Sequence, residues 1–132
     1  MVGGLIFLIV TRRFFSASPL VIVPQVAALG LMVWARVTFG RRSFHAAANP
    51  TAGPLVTTGP YRHIRHPIYT AACGLTVAGA AAHPGWATAG GCALVLGGAL
   101  VRMRCEELLL AASHPEYREY AARTRRMIPL IF

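Results

Sequence analysis

The sequence predicts an all-α integral membrane protein with a few transmembrane helices, including a helical hairpin, and C-terminal amphipathic helices at the interface. Three observations predict it. Hydrophobic residues make up 55% of the 132-residue chain and charged residues only 13%, against about 25% charged in soluble domains, and the mean hydropathy is +0.54. Two long stretches, 14–35 and 66–101, carry no formally charged residue. The charges that do occur gather at the ends of those stretches. A soluble chain this short must turn much of its length to water, and this one lacks the polar residues to do so.

The length allows one domain, 1–132, read as N-terminal membrane helices (1–42), a loop (43–67), a transmembrane hairpin (68–101) and C-terminal helices (102–132). Residues 1–10 are apolar but too few to span at about 1.5 Å per residue, and Arg12-Arg13 interrupt them. This segment lacks the basic start and small-residue cleavage site of a signal peptide. It reads either as half of a broken helical hairpin or as an interfacial helix. The run from Phe14 to Ala35 is long enough for a membrane span, with Pro19 tolerable near its start, Pro24 a candidate kink, and Arg36, Arg41 and Arg42 as a basic flank. Asn49-Pro50, Gly53-Pro54 and Gly59-Pro60 mark 43–65 as a long loop, and loops of that length in compact domains are commonly functional.

His83-Pro84-Gly85 splits the second uncharged stretch into two antiparallel helices, about 68–82 and 86–101. Their many glycines and alanines permit close packing in lipid. The hairpin leaves and returns on one side, so it should bring residues 61–69 against 102–107. A charged helical segment then runs from Arg102, broken at Pro115, and Glu116–Arg126 reads as a short amphipathic helix at the interface.

The 13 basic residues are all arginine, with no lysine and no aspartate, and the net charge is +9. Scattered between apolar runs, these arginines fit cytoplasmic loops and anionic headgroups rather than nucleic acid. Cys73, Cys92 and Cys105 form no CxxC pair and read as buried, inert thiols, with no disulfide framework. No third histidine is placed to join His63 and His66 as a metal ligand, so no metal is expected.

Two polar clusters should meet at the hairpin mouth. One runs from Gly59 to Tyr69 and holds Tyr61, Arg62, His63, Arg65, His66 and Tyr69; the other is Arg102-Met103-Arg104-Cys105-Glu106-Glu107. Within the second, Arg102 pairs with Glu106 at i, i+4 and Arg104 with Glu107 at i, i+3. Singly, such arginines and tyrosines are ordinary interfacial anchors and such ion pairs ordinary helix-surface features. Together, at a depth where polar groups are costly, they favour a binding site. The residue types suit a zwitterionic, aromatic ligand: glutamate accepts from an amino group or hydroxyls, and tyrosine faces a purine or a cation.

The motifs Gly59-Pro60-Tyr61, Arg65-His66-Pro67-Ile68-Tyr69, Arg102-x3-Glu106-Glu107-x2-Leu110, Pro115-Glu116-Tyr117-x2-Tyr120 and Arg126-x2-Pro129 resemble those of the isoprenylcysteine carboxyl methyltransferases and their bacterial relatives, which adjoin the phospholipid methyltransferases. They stand in that family's order over about 53–129. The resemblance implies S-adenosylmethionine as cofactor, lined by Tyr61, Arg65, His66, Pro67, Ile68 and Tyr69, with backbone contacts around Leu55 and Val56 and with Glu106 binding it. It implies Arg102 facing the methyl acceptor. A carboxylate acceptor needs no base, whereas an amine acceptor would make Glu107 or a histidine a base candidate. The chain departs from the family pattern at Ala71, where glycine is frequent, at His114, where phenylalanine is common, and in its shorter N-terminal region.

The expected partners are a small lipophilic or amphiphilic substrate and membrane lipid. A non-catalytic membrane subunit retaining the fold is the alternative from another class. The Ala- and Arg-rich, lysine-free composition suggests a high-GC bacterium, which argues against prenylated cysteine as the acceptor. A bacterial inner membrane is then expected, with 41–67 and 102–126 on the cytoplasmic side. That leaves Arg12-Arg13 on the opposite side unless the N-terminal segment is re-entrant.

Overall fold

The structure, a computed structural model, describes residues 2–10, 18–40 and 54–129. In chain order its elements are α1 (Val2–Val10), α2 (Pro19–Phe39), a 3-10 turn (Gly59–Arg62), α3 (Pro67–Ala82), α4 (Trp86–Ser113) and α5 (Tyr117–Arg123). The described residues contain no strand, only an isolated parallel bridge between Ile64 and Arg125. Together with two helices long and apolar enough to cross a membrane, α2 and α4, this is the predicted all-α membrane architecture. Residues 11–17 and 41–53 lie outside the described residues, and with them Arg12, Arg13, Arg41, Arg42 and the Asn49-Pro50 turn.

α2 starts with Pro19 in the first helical position, where its missing N–H is no loss. The Ser18 carbonyl receives the amides of Val21 and Ile22, both at 2.9 Å. Its 21 residues make about 32 Å, matching the hydrocarbon core of a bilayer. Leu20, Val23, Val26, Val33 and Val37 are exposed, as a lipid-facing surface requires. Gly40, at φ +71°, ends the helix by returning its N–H to the Arg36 carbonyl.

α3 and α4 form the predicted hairpin. His83 closes α3 with its N–H on Ala80, and the Gly85 carbonyl opens α4 by accepting from Ala89. Trp86, 96% exposed, stands at the tip as an interfacial anchor. α4 does not stop near residue 101. It continues for 28 residues, about 42 Å, so its second half carries Arg102 to Glu107 beyond the apolar layer on the same helix. Nothing between Val101 and Ser113 breaks a helix, and the residue before Pro115 is the first that the proline pushes out of the helical region.

Two apolar clusters join the helices. Leu8, Leu75 and Val95 form one, with Ala28 against it, and Cys73, Ala99 and Met103 the other, with Tyr69, Leu96 and Met127 packed on it. α1 therefore docks against α3 and α4 through Leu8. Its Gly4 sits so close to α4 that an added Cβ would fall 2.8 Å from the Gly91 carbonyl oxygen. Cys73 is buried as expected, whereas Cys92 is half-buried and Cys105 exposed; the three thiols are free.

Candidate active site

The hairpin brings its two polar ends together. Tyr69, in the first turn of α3, donates its hydroxyl to Glu106 Oε1 at 2.5 Å, and Arg102 Nε donates to the same oxygen at 3.3 Å. His66, buried just ahead of α3, places Nε2 3.2 Å from Glu107 Oε1 and Nδ1 3.9 Å from Glu106 Oε2. The expected pair of Arg102 with Glu106 is present.

The expected pair of Arg104 with Glu107 is replaced by distant partners. Glu107 Oε1 accepts from Arg65 Nε at 2.9 Å, and Glu107 Oε2 from Arg126 Nε at 2.9 Å and Nη2 at 2.8 Å. α4 turns Glu107 inward beneath the loop and leaves Arg104 exposed, and a helix-surface pair cannot compete with two arginines already in a half-buried niche. This arrangement favours a clamp over a base: both carboxylate oxygens are committed, and they tie α4 to the loop and to the segment after α5.

Arg65 extends that clamp. Its Nη1 donates to the carbonyls of Ala121 at 2.8 Å and Thr124 at 2.5 Å, the end of α5 where helix carbonyls lack partners and favour a cation. The backbone repeats the connection. Arg65 N–H donates to Arg125 at 2.7 Å, His66 N–H to Arg126 at 3.0 Å and Arg125 N–H to His63 at 3.2 Å, and Thr70 Oγ1 donates to the Met127 carbonyl at 3.0 Å. Residues 124–127 thus form a strap clipped along residues 63–66.

The loop reaches this place through glycine. Gly59 has φ +56°, and a Cβ there would lie 2.6 Å from Thr38 Oγ1, so only glycine lets the chain cross the end of α2. The turn that follows buries Tyr61 with its ring 5.5 Å from that of Phe39. Tyr120 then donates to the Tyr61 carbonyl at 2.7 Å. Burial pushes the phenols of Tyr61 and Tyr120 well above their ordinary range, and that of Tyr117 up to about 12. All three keep their protons.

Of the other residues singled out by sequence, Pro67 is buried and Ile68 half-buried at the start of α3. Leu55 and Val56 are half-buried in an irregular stretch before the 3-10 turn and join none of these polar contacts. Ala71 fills a core position. Sequence reasoning missed the roles of Arg126, Tyr120 and Thr124. Arg126 and Tyr120 stood within noted motifs, but nothing near them in the chain signals their partners.

The model of the isoprenylcysteine carboxyl methyltransferase (ICMT) family matches residues 20–112. The chain belongs to this family. The ICMT match runs from α2 to the end of α4, so it contains every residue of the Tyr69, Glu106, Arg102 and Glu107 arrangement except the strap. Membership of the ICMT family supports a membrane methyltransferase. Comparison with curated proteins and with solved structures finds no significant match. α5 and the strap lie beyond the matched residues.

Proposed function

We propose that this protein transfers a methyl group from S-adenosylmethionine to a membrane-embedded or amphiphilic acceptor, with a carboxylate the favoured class. The observation that carries the reading is the chain of Tyr69, Glu106 and Arg102 at the hairpin mouth. Bound S-adenosylmethionine supplies an electrophilic methyl group on a cationic sulfur. Glu106 has acceptor capacity beyond Tyr69 and Arg102 for an amino group or hydroxyls. The amides of Ile68 and Tyr69, at the start of α3, have no acceptor within the helix and suit a carboxylate. The rings of Tyr61 and Tyr69 suit a purine, and Leu55, Val56, His66 and Pro67 complete the wall. Arg65 contributes by holding the loop and strap in place.

Arg102 is oriented by Glu106 and 26% exposed. A guanidinium has five donors, so this pairing does not exhaust it, and a carboxylate acceptor can meet its fork. Attack by a carboxylate needs no proton removed, and the protein's contribution is then orientation and exclusion of water. An amine acceptor would need a base, and Glu107 is committed elsewhere. Acceptors approach sideways from the lipid, and the cofactor from the cytoplasmic face of a bacterial inner membrane.

Titration calorimetry of detergent-purified protein with S-adenosylmethionine tests the reading. Native protein should bind; Glu106→Ala should not. Arg102→Ala should bind normally but lose transfer on the order of 100-fold in a labelled-methyl assay on membrane extracts. Folded native protein that binds no S-adenosylmethionine would leave the non-catalytic alternative.

A further inference from the structure

Tyr117 and Tyr120 stand about one turn apart on α5, both buried, with ring centroids 6.0 Å apart. Their hydroxyls differ. Tyr120 donates to the Tyr61 carbonyl at 2.7 Å. The Tyr117 hydroxyl, on a residue 4% exposed, has no hydrogen-bond partner among the described residues. Phenylalanine would fill the same space without burying an unpaired donor, so the hydroxyl is costly where it stands.

Its surroundings are those of the site. Tyr120, whose ring lies beside that of Tyr117, reaches the Tyr61 carbonyl, and Arg65, held by Glu107, donates to the Ala121 carbonyl of the same helix. The Glu107 oxygens are already taken by Arg65, His66 and Arg126. A buried, protonated phenol beside a polar site, with the neighbouring carboxylate engaged and no partner among the described residues, has its donor available to an acceptor on a bound molecule.

We propose that Tyr117 is a binding residue for S-adenosylmethionine, its hydroxyl donating to an oxygen or nitrogen acceptor of the bound molecule. The inference rests on the methyltransferase reading and deepens it: α5, beyond the residues that the family model matches, contributes to the cofactor site as well as bracing it.

The test compares native protein with Tyr117→Phe, in detergent, by calorimetric titration with S-adenosylmethionine and by thermal melting without ligand. The variant should melt at the native temperature or above, because it loses only an unpaired hydroxyl. Its dissociation constant should rise about tenfold, as loss of one hydrogen bond to ligand implies. Equal affinity in the two proteins overturns the inference and leaves the methyltransferase reading standing. A lowered melting temperature with unchanged affinity also overturns it, showing a structural hydroxyl satisfied by ordered water. Failure of the native protein itself to bind overturns both.

Discussion

Glu107→Gln separates a clamp from a base. The substitution keeps the shape of the side chain and removes the charge that Arg65 and Arg126 share. The side chains of Glu107 and Arg65 are each 12% exposed, and that of Arg126 22%. Removing one partner of a buried ion pair costs about 3–5 kcal/mol, and the residual solvent access places this case near 3 kcal/mol. For a chain of this length 1 kcal/mol is worth roughly 3–6 °C, so the variant should melt on the order of 10 °C below native protein in the same detergent. Part of the loss should appear as a loosened strap, since Arg126 reaches Glu107 from within it. The assay is thermal melting in parallel with the methyl-transfer measurement. Melting within about 2 °C of native protein, well under the shift expected for 1 kcal/mol, combined with lost transfer, would refute the reasoning and make Glu107 a chemical participant.

Tyr120→Phe should destabilise by about 1–3 kcal/mol, because it strands the buried Tyr61 carbonyl that the hydroxyl now serves; melting curves beside those of Tyr117→Phe would show opposite behaviour for two tyrosines on one short helix. Gly4→Ala should cost about 1–3 kcal/mol by overpacking, since the new methyl would meet the Gly91 carbonyl at 2.8 Å and Leu94 Cβ at 3.0 Å. Native-like melting of that variant would mean that α1 does not dock on α4 in solution.

The parts of this fold that follow from local chemistry were legible. Uncharged runs of span length, a His83-Pro84-Gly85 turn and proline-marked starts at Pro19 and Pro67 are short-range signals, and each element they predict is present. The meeting of residues 61–69 with 102–107 followed from hairpin geometry, because antiparallel helices return their ends to one side; the Tyr69–Glu106 bond is the form it takes. The partners of Glu107 did not. Arg65 and Arg126 lie 42 and 19 residues away, and periodicity carries no information about contacts made through a loop and a strap. The same blindness hid the continuation of α4: a change from apolar to charged composition looks like a boundary, yet a helix crosses it freely when its ion pairs run i to i+4. α1 was undecidable for a related reason, since its nine residues are held by Gly91, Val95 and Leu75 rather than by their own length.

The strap has a consequence for how the protein is made. The hairpin and Glu107 emerge from synthesis before residues 124–127 exist, so α3 and α4 can insert into the bilayer with Arg65 and Glu107 facing each other and the second arginine still missing. At that stage Arg65 has no Thr124 carbonyl to meet, and the backbone of His63 to His66 lacks its bonds to Arg125 and Arg126. A nascent chain halted before Thr124 would be a membrane-inserted protein with an unfinished site, a natural substrate for proteases that survey half-assembled membrane domains. Emergence of the strap, not of the hairpin, is therefore the step that closes the site.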